Sequence, residues 1–203
     1  VSVLHVAPIV EGHGEYECVR ILVQRVWREV LDAEHIEVLR PIRGKKHRLV
    51  KKEELQKAVK LALSKLADAG CPPQPGLLLI LLDADTDAPC LLGPQLLRDA
   101  RDVHPVADMA CVIANREYET WFVAAAESLV EYLDLSQDTH LPETPEDLGL
   151  GKGWIETRFR GTKYSETQDQ PRMTAKMDLS LCRSRCPSFD KLCREFERRL
   201  PSP

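Results

Sequence analysis

Apolar residues in this chain come in short unbroken runs, separated by stretches where they recur every three or four positions. Residues 3–10 are apolar and rich in β-branched side chains, and the run stops at Glu11-Gly12-His13-Gly14. Beyond it Cys18, Leu22, Val26 and Val30 recur at intervals of four, with Val19, Val23 and Trp27 beside them, which predicts one face of a helix. Residues 36–42 read as a second strand. Leu55, Val59, Ala62, Leu63 and Leu66 make the apolar face of a second helix, which ends at Gly70 ahead of Pro72-Pro73. Residues 77–82 form a continuous apolar run, as expected of a strand covered on both faces, and lead into Asp83-Ala84-Asp85-Thr86-Asp87. A third helix is predicted over 94–103 and a fourth strand over 109–114. A fourth helix is expected over 118–133, with Trp121, Phe122, Ala125 and Leu129 turned inward.

Strand and helix signals in alternation imply a parallel α/β sheet with right-handed crossovers. A four-stranded order 2-1-3-4, flanked by helices, would place the first and third strands side by side. Residues 1–133 form this α/β core. From 134 to 170 the periodicity is lost, in a segment rich in Pro, Gly, Thr and acids with Gly149-Leu150-Gly151-Lys152-Gly153 at its centre. A connection of that length is usually functional or mobile. Helical patterning returns near 173–182 and again over 189–200, so residues 134–203 are expected as an irregular segment plus a C-terminal helical extension packed on the core.

Composition narrows the class. A hydrophobic share of 43% with 30% charged residues is that of a globular chain, which argues against global disorder. The net charge of −4 speaks against a protein that coats nucleic acid or anionic membrane over its whole surface, while leaving room for a local basic patch. No run approaches the ~18 apolar residues of a membrane span, so no membrane association is expected. The first residues carry no basic region of the kind that opens a signal peptide. The seven cysteines are odd in number, show no pairwise framework, and fall partly in apolar patterns, which fits reduced thiols in a cytoplasm.

The candidate chemistry lies at the strand ends. In open parallel sheets ligands gather beyond the carboxyl ends of the strands. The first strand ends in Glu11, with Glu15 one helical turn later, and the third ends in Asp83 and Asp85. Two like charges about 5 Å apart repel by roughly 3 kcal/mol at an effective dielectric near 20. A bound cation removes that repulsion, and hard oxygen ligands suit Mg²⁺ or Mn²⁺. Taken singly, each of these acids also suits a helix cap or a turn. A dinucleotide-binding glycine loop is excluded, because Glu17 stands where its third glycine belongs and Arg40 and Arg43 stand where a ribose-binding acid would. Gly151-Lys152 is followed by Gly153 rather than Ser or Thr, which excludes a Walker loop.

Val10-Glu11-Gly12 closing the first strand, together with the Asp-x-Asp at Asp83 and Asp85, resembles the two motifs of TOPRIM domains. These occur in primases, topoisomerases and the overcoming-lysogenization-defect nucleases, and Glu15 resembles a further acid of the last group. The Glu-Gly-His-Gly-Glu start, the segment Asn115-Arg116-Glu117-Tyr118-Glu119-Thr120-Trp121-Phe122, and Tyr164-Ser165-Glu166-Thr167 with Asp169-Gln170 resemble a bacterial family catalogued as domain of unknown function 4276. The likeness covers essentially the whole chain. It implies a TOPRIM-like fold, Glu11 as acid/base or metal ligand, an Asp83–Asp85 pair carrying Mg²⁺, and a neighbouring ATPase in mobile-element defence loci.

Asp87 is either a third acid of this set or a turn residue. Glu117 and Glu119 follow the fourth strand directly, and each either completes a metal shell or favours the dipole of a helix's first turn. Arg40, Arg43, Lys45, Lys46, Arg48, Lys51 and Lys52 lie within thirteen residues that hold no acid, forming either a phosphate-tracking field or a solvated face. Overcoming-lysogenization-defect nucleases use a lysine to stabilise the transition state, and the resemblance offers Lys163 or Lys152 for that place. The spacing of Cys182, Cys186 and Cys193 suits helices better than zinc. The function expected is a Mg²⁺-dependent phosphodiester hydrolase acting on DNA or RNA. The alternative is a non-catalytic partner module of an ATPase.

Overall fold

The computed structural model describes residues 2–72, 75–136 and 139–200. Strand β1 (Leu4–Val10) is buried along its whole length and leads through Glu11-Gly12 into helix α1 (His13–Arg25). A π-helical stretch, Val26–Val30, continues α1 and buries Val26 and Trp27. The expected second strand is broken into β2 (Ile36–Val38) and β3 (Ile42–Arg43), with Pro41, which has no N–H to donate, at the break. Both pieces pair in parallel with β1, Leu4 opposite Ile36 and Ile9 opposite Ile42. Helices α2 (Lys46–Leu49) and α3 (Lys52–Asp68) follow, then β4 (Gly76–Asp83), α4 (Pro89–Arg101) and β5 (Met109–Ala114). The order is β2-β1-β4-β5, with β3 also on β1, so the described sheet has five parallel strands rather than four. Pro73, expected just past the second helix, lies outside the described residues.

Side chains alternate across the sheet with period two. Val6, Val10, Leu77, Leu79, Leu81, Ala110 and Val112 face one cluster, while Ala7, Ile9, Leu78, Ile80, Leu82, Cys111 and Ile113 face the other. Leu55, Val59, Ala62 and Leu66 of α3, with Leu92 and Leu96 of α4, cover the second face. The first is covered by α1, by α5 (Glu119–Ala124) and by the C-terminal helices, through Met173, Cys182, Phe189, Leu192 and Phe196. All seven cysteines are free, and Cys182, Cys186 and Cys193 are buried in this core rather than set around a metal. No described helix is long and apolar enough to cross a membrane.

Several boundaries differ from the sequence pattern for identifiable reasons. Helix α4 begins at Pro89, not Pro94, because a proline at the first helical position gives up an N–H that has no partner there anyway. The fourth helix stops at Ala124 and resumes as a 3₁₀ turn, Ala126–Leu129. Arg185 Nη1 donates to the Ala124 carbonyl at 2.8 Å and Ser128 Oγ to that of Ala125 at 2.6 Å, which competes with continued α-helix. The unpatterned segment contains α6 (Gly151–Glu156), whose first glycine is required by packing: a Cβ there would lie 2.6 Å from the backbone nitrogen of Thr120. Beyond it the run expected over 173–182 divides into α7 (Asp169–Thr174) and α8 (Leu179–Arg185). Asp178 caps α8, accepting from the N–H groups of Ser180 and Leu181. Helix α9 (Pro187–Glu197) closes the described fold.

Candidate metal centre

Parallel pairing brings the carboxyl ends of β1, β4 and β5 to one rim, with Val10 opposite Leu81 and Asp83 opposite Ala114. The turns after β4 and β5 lock each other there. Asp85 N–H donates to the Arg116 carbonyl at 2.8 Å, and Arg116 Nη1 returns a bond to the Asp85 carbonyl at 3.1 Å. Both residues take left-handed backbone conformations, at φ 50° and 64°. Such conformations persist in non-glycine residues only where surrounding bonds hold them.

The acids on this rim fall into two sets. Glu11, Glu15, Asp83 and Glu119 form the inner one. Burial pushes the Asp83 carboxyl well above its ordinary range, and the charges of Glu15, Glu119, Glu11 and Asp85 push in the same direction. Burial, then the charge of Glu15, raises Glu119 from 4.5 to about 7. Glu11 likewise rises to about 7, through burial and the charge of Asp85. Glu15 is raised by burial and by Glu166. A Cβ on Gly12 would lie 2.2 Å from Glu15 Oε2, so a glycine is what lets this carboxylate fold back over the strand end. Tyr164 Oη donates to Glu119 Oε1 at 3.1 Å, and Glu11 Oε2 is buried with no partner. Among the described residues no lysine, arginine or histidine forms an ion pair with any of these four acids.

Asp85 and Asp87 form the outer set. Lys46 Nζ lies 2.9 Å from Asp85 Oδ2 and 3.0 Å from Asp87 Oδ2, and also donates to the Ala84 carbonyl. Lys46 was expected in a nucleic-acid-facing field. It is buried instead, because its stem lies along the rim and its ammonium is shared by two carboxylates. Arg40 Nε donates to Tyr16 Oη at 2.7 Å, and Lys52 pairs with Asp102. Arg43, Lys45 and Arg48 remain exposed around a cleft of about 330 Å³.

The structure separates the two glutamates after β5. Glu119 joins the inner set, whereas Glu117 Oε2 accepts the Lys152 N–H at 2.8 Å and holds the start of α6. Lys152 forms an ion pair with Glu166, whose charge acts on both Glu15 and Glu119. Lys163 is exposed and, among the described residues, forms no ion pair, whereas the charges of Glu166 and Glu119 both act on Lys152, which makes Lys152 the candidate lysine beside the acids. The placement of Tyr164, Glu166 and Gln170 beside the rim has no periodic signal in the sequence. The length of the unpatterned connection and the motif likeness are the signals that mark this stretch.

Among the described residues no three His, Cys, Asp or Glu side chains stand in a ready-made metal-binding arrangement. The donor chemistry nevertheless fits a hard divalent cation: the inner set is all oxygen, mutually repelling, and includes a carboxylate oxygen without a partner. A cation would have to draw these carboxylates inward.

Fold and rim together define an α/β protein with a parallel sheet and an acid-lined carboxyl edge. The chain belongs to the family described as domain of unknown function (DUF4276), whose profile matches residues 10–197. No curated protein and no solved structure matches it.

Proposed function

We propose that this chain is a Mg²⁺- or Mn²⁺-dependent phosphodiester hydrolase with a TOPRIM-like core, a cytoplasmic nuclease of a bacterial mobile-element defence system. The observation that carries this reading is the inner acid set at the strand ends, which among the described residues forms no ion pair. Glu15, Asp83 and Glu119 would hold the metal with Glu11, and Asp85 would lie at its edge. When bound, the cation supplies a water of lowered pKa and a Lewis acid for a phosphoryl oxygen. Glu11, one of whose carboxylate oxygens has no partner, is suited to accept a proton. Arg43, Lys45 and Arg48 would position the phosphate backbone of DNA or RNA. Lys152 takes the charge-stabilising role in preference to Lys163, since its ion pair with Glu166 keeps it beside the acids.

The second reading, a non-catalytic partner module of an ATPase, draws on Lys46. Its ammonium already offsets part of the charge of Asp85 and Asp87 without a metal. One assay separates the two readings. Cleavage of single- and double-stranded DNA and RNA is measured with Mn²⁺, alone and with the neighbouring ATPase. The hydrolase reading expects cleavage that EDTA, Glu11→Gln and Asp83→Asn abolish. Inactivity under all these conditions, with Mn²⁺ bound, would favour the module.

A further inference from the structure

Gln170, on α7, is 1% exposed, and neither its Oε1 nor its Nε2 has a hydrogen-bond partner. A buried polar group left unpaired is destabilising, because it has given up its bonds to water for none in return. The packing nonetheless favours this position. A Cβ on Gly14 would lie 1.6 Å from Gln170 Oε1 and 2.7 Å from its Cδ, so only glycine admits the amide there. Gly14 immediately precedes Glu15 in the first turn of α1, and Glu166 Cβ borders the same space. The amide thus sits beside Glu15, whose carboxyl it holds lower, although neither of its polar atoms has a partner within hydrogen-bond distance.

We infer that Gln170 supplies a neutral oxygen ligand to the divalent cation held by Glu15 and Glu119, so that α7 closes a centre which the strand ends leave open. This rests on the cation reading above and adds a residue from the C-terminal segment to it. Hard divalent cations accept amide carbonyl oxygens alongside carboxylates. Binding would satisfy the orphaned Oε1 and the carboxylate repulsion together. A trapped water is the competing occupant, since it too could bond the amide.

The test titrates Mn²⁺ into the full chain, reading free metal by electron paramagnetic resonance, with melting curves alongside. Gln170→Leu is expected to weaken Mn²⁺ binding about tenfold or more, the scale seen when groups supporting a metal site are lost. The metal-free variant should melt no lower than the unaltered protein, because an unpaired amide has gone. Gln170→Glu, nearly the same shape, is expected to bind Mn²⁺ more tightly and to melt lower without it, since another negative charge joins Glu15 and Glu166. Unaltered affinity in Gln170→Leu, or no tightening in Gln170→Glu, overturns the role of Gln170 while the carboxylate site still stands. Absence of Mn²⁺ binding by the unaltered chain overturns the cation reading and this inference with it.

Discussion

The two acid sets on the carboxyl rim share a residue type and an address, yet their electrostatics differ. Asp85 and Asp87 have side chains 56% and 53% exposed, and they share the Lys46 ammonium. Glu15 and Glu119 are buried and have no cationic partner among the described residues. Water screens the outer pair and a lysine offsets one of its two charges, so they cost little. The inner set forms no ion pair among the described residues and Glu15 and Glu119 are shut off from water, and its carboxyls respond by holding their protons to higher pH. Carboxylates arranged at the expense of stability are a mark of function. The outer pair resembles ordinary surface ion pairing.

The largest effect should come from supplying a cation to the inner set. Mg²⁺ or Mn²⁺ at about a hundred times its dissociation constant contributes about 2.7 kcal/mol. For a chain of this size that raises the melting temperature by roughly 5–10 °C. Asp83→Asn should lose most of the gain while melting higher than the unaltered protein in EDTA, because the cost of burying this ionisable carboxyl is removed. Equal gains in both proteins would break the distinction between the sets.

Comparable in size is the pH dependence of the metal-free protein. Glu119 titrates at 4.5 when unfolded and at about 7 when folded, so between these values the folded state binds more protons. Its stabilising contribution is complete below 4.5 and is lost as pH rises through about 7, by at most about 3 kcal/mol. Melting in EDTA should therefore fall from pH 5 to pH 8, and Glu119→Gln should flatten the curve. A flat curve in the unaltered protein would contradict the buried, unpaired state of the inner acids.

Lys46→Met tests the outer set. Because both partners are half exposed, the loss should be about 1 kcal/mol or less by chemical denaturation, and smaller still in high salt. A much larger loss would mean that Lys46 organises the whole rim. The smallest effect belongs to the basic cleft. Lys45→Glu and Arg48→Glu should each remove about 0.9 from the slope of log affinity against log salt on duplex DNA, if each contacts one phosphate. An unchanged slope would return these residues to an ordinary solvated face.

Much of the fold was legible because burial on both sides of a sheet leaves an unmistakable pattern. The run over 77–82 could be little other than a covered strand, and β4 contains it. The spacing of Leu55, Val59, Ala62 and Leu66 places them together on α3. Boundaries were less legible, since they depend on single contacts such as Arg185 with the Ala124 carbonyl, which lies far away in sequence. At the rim the clustering of acids was readable from strand ends alone. Their division was not: nothing local tells Glu117, which holds the start of α6, from Glu119, which is buried beside Tyr164.

By itself the sequence determined an alternating α/β core with carboxylates where strands end, because hydrophobic periodicity and turn chemistry are local properties. Tertiary structure decided which charges find partners. It turned Lys46 from the expected basic face onto Asp85 and Asp87, and it set Gln170 of α7 against Gly14 of α1. The physical reason is that the cost of a charge or an amide depends on the solvent and partners around it. Those are supplied here by residues up to 156 positions away, the separation of Gly14 from Gln170.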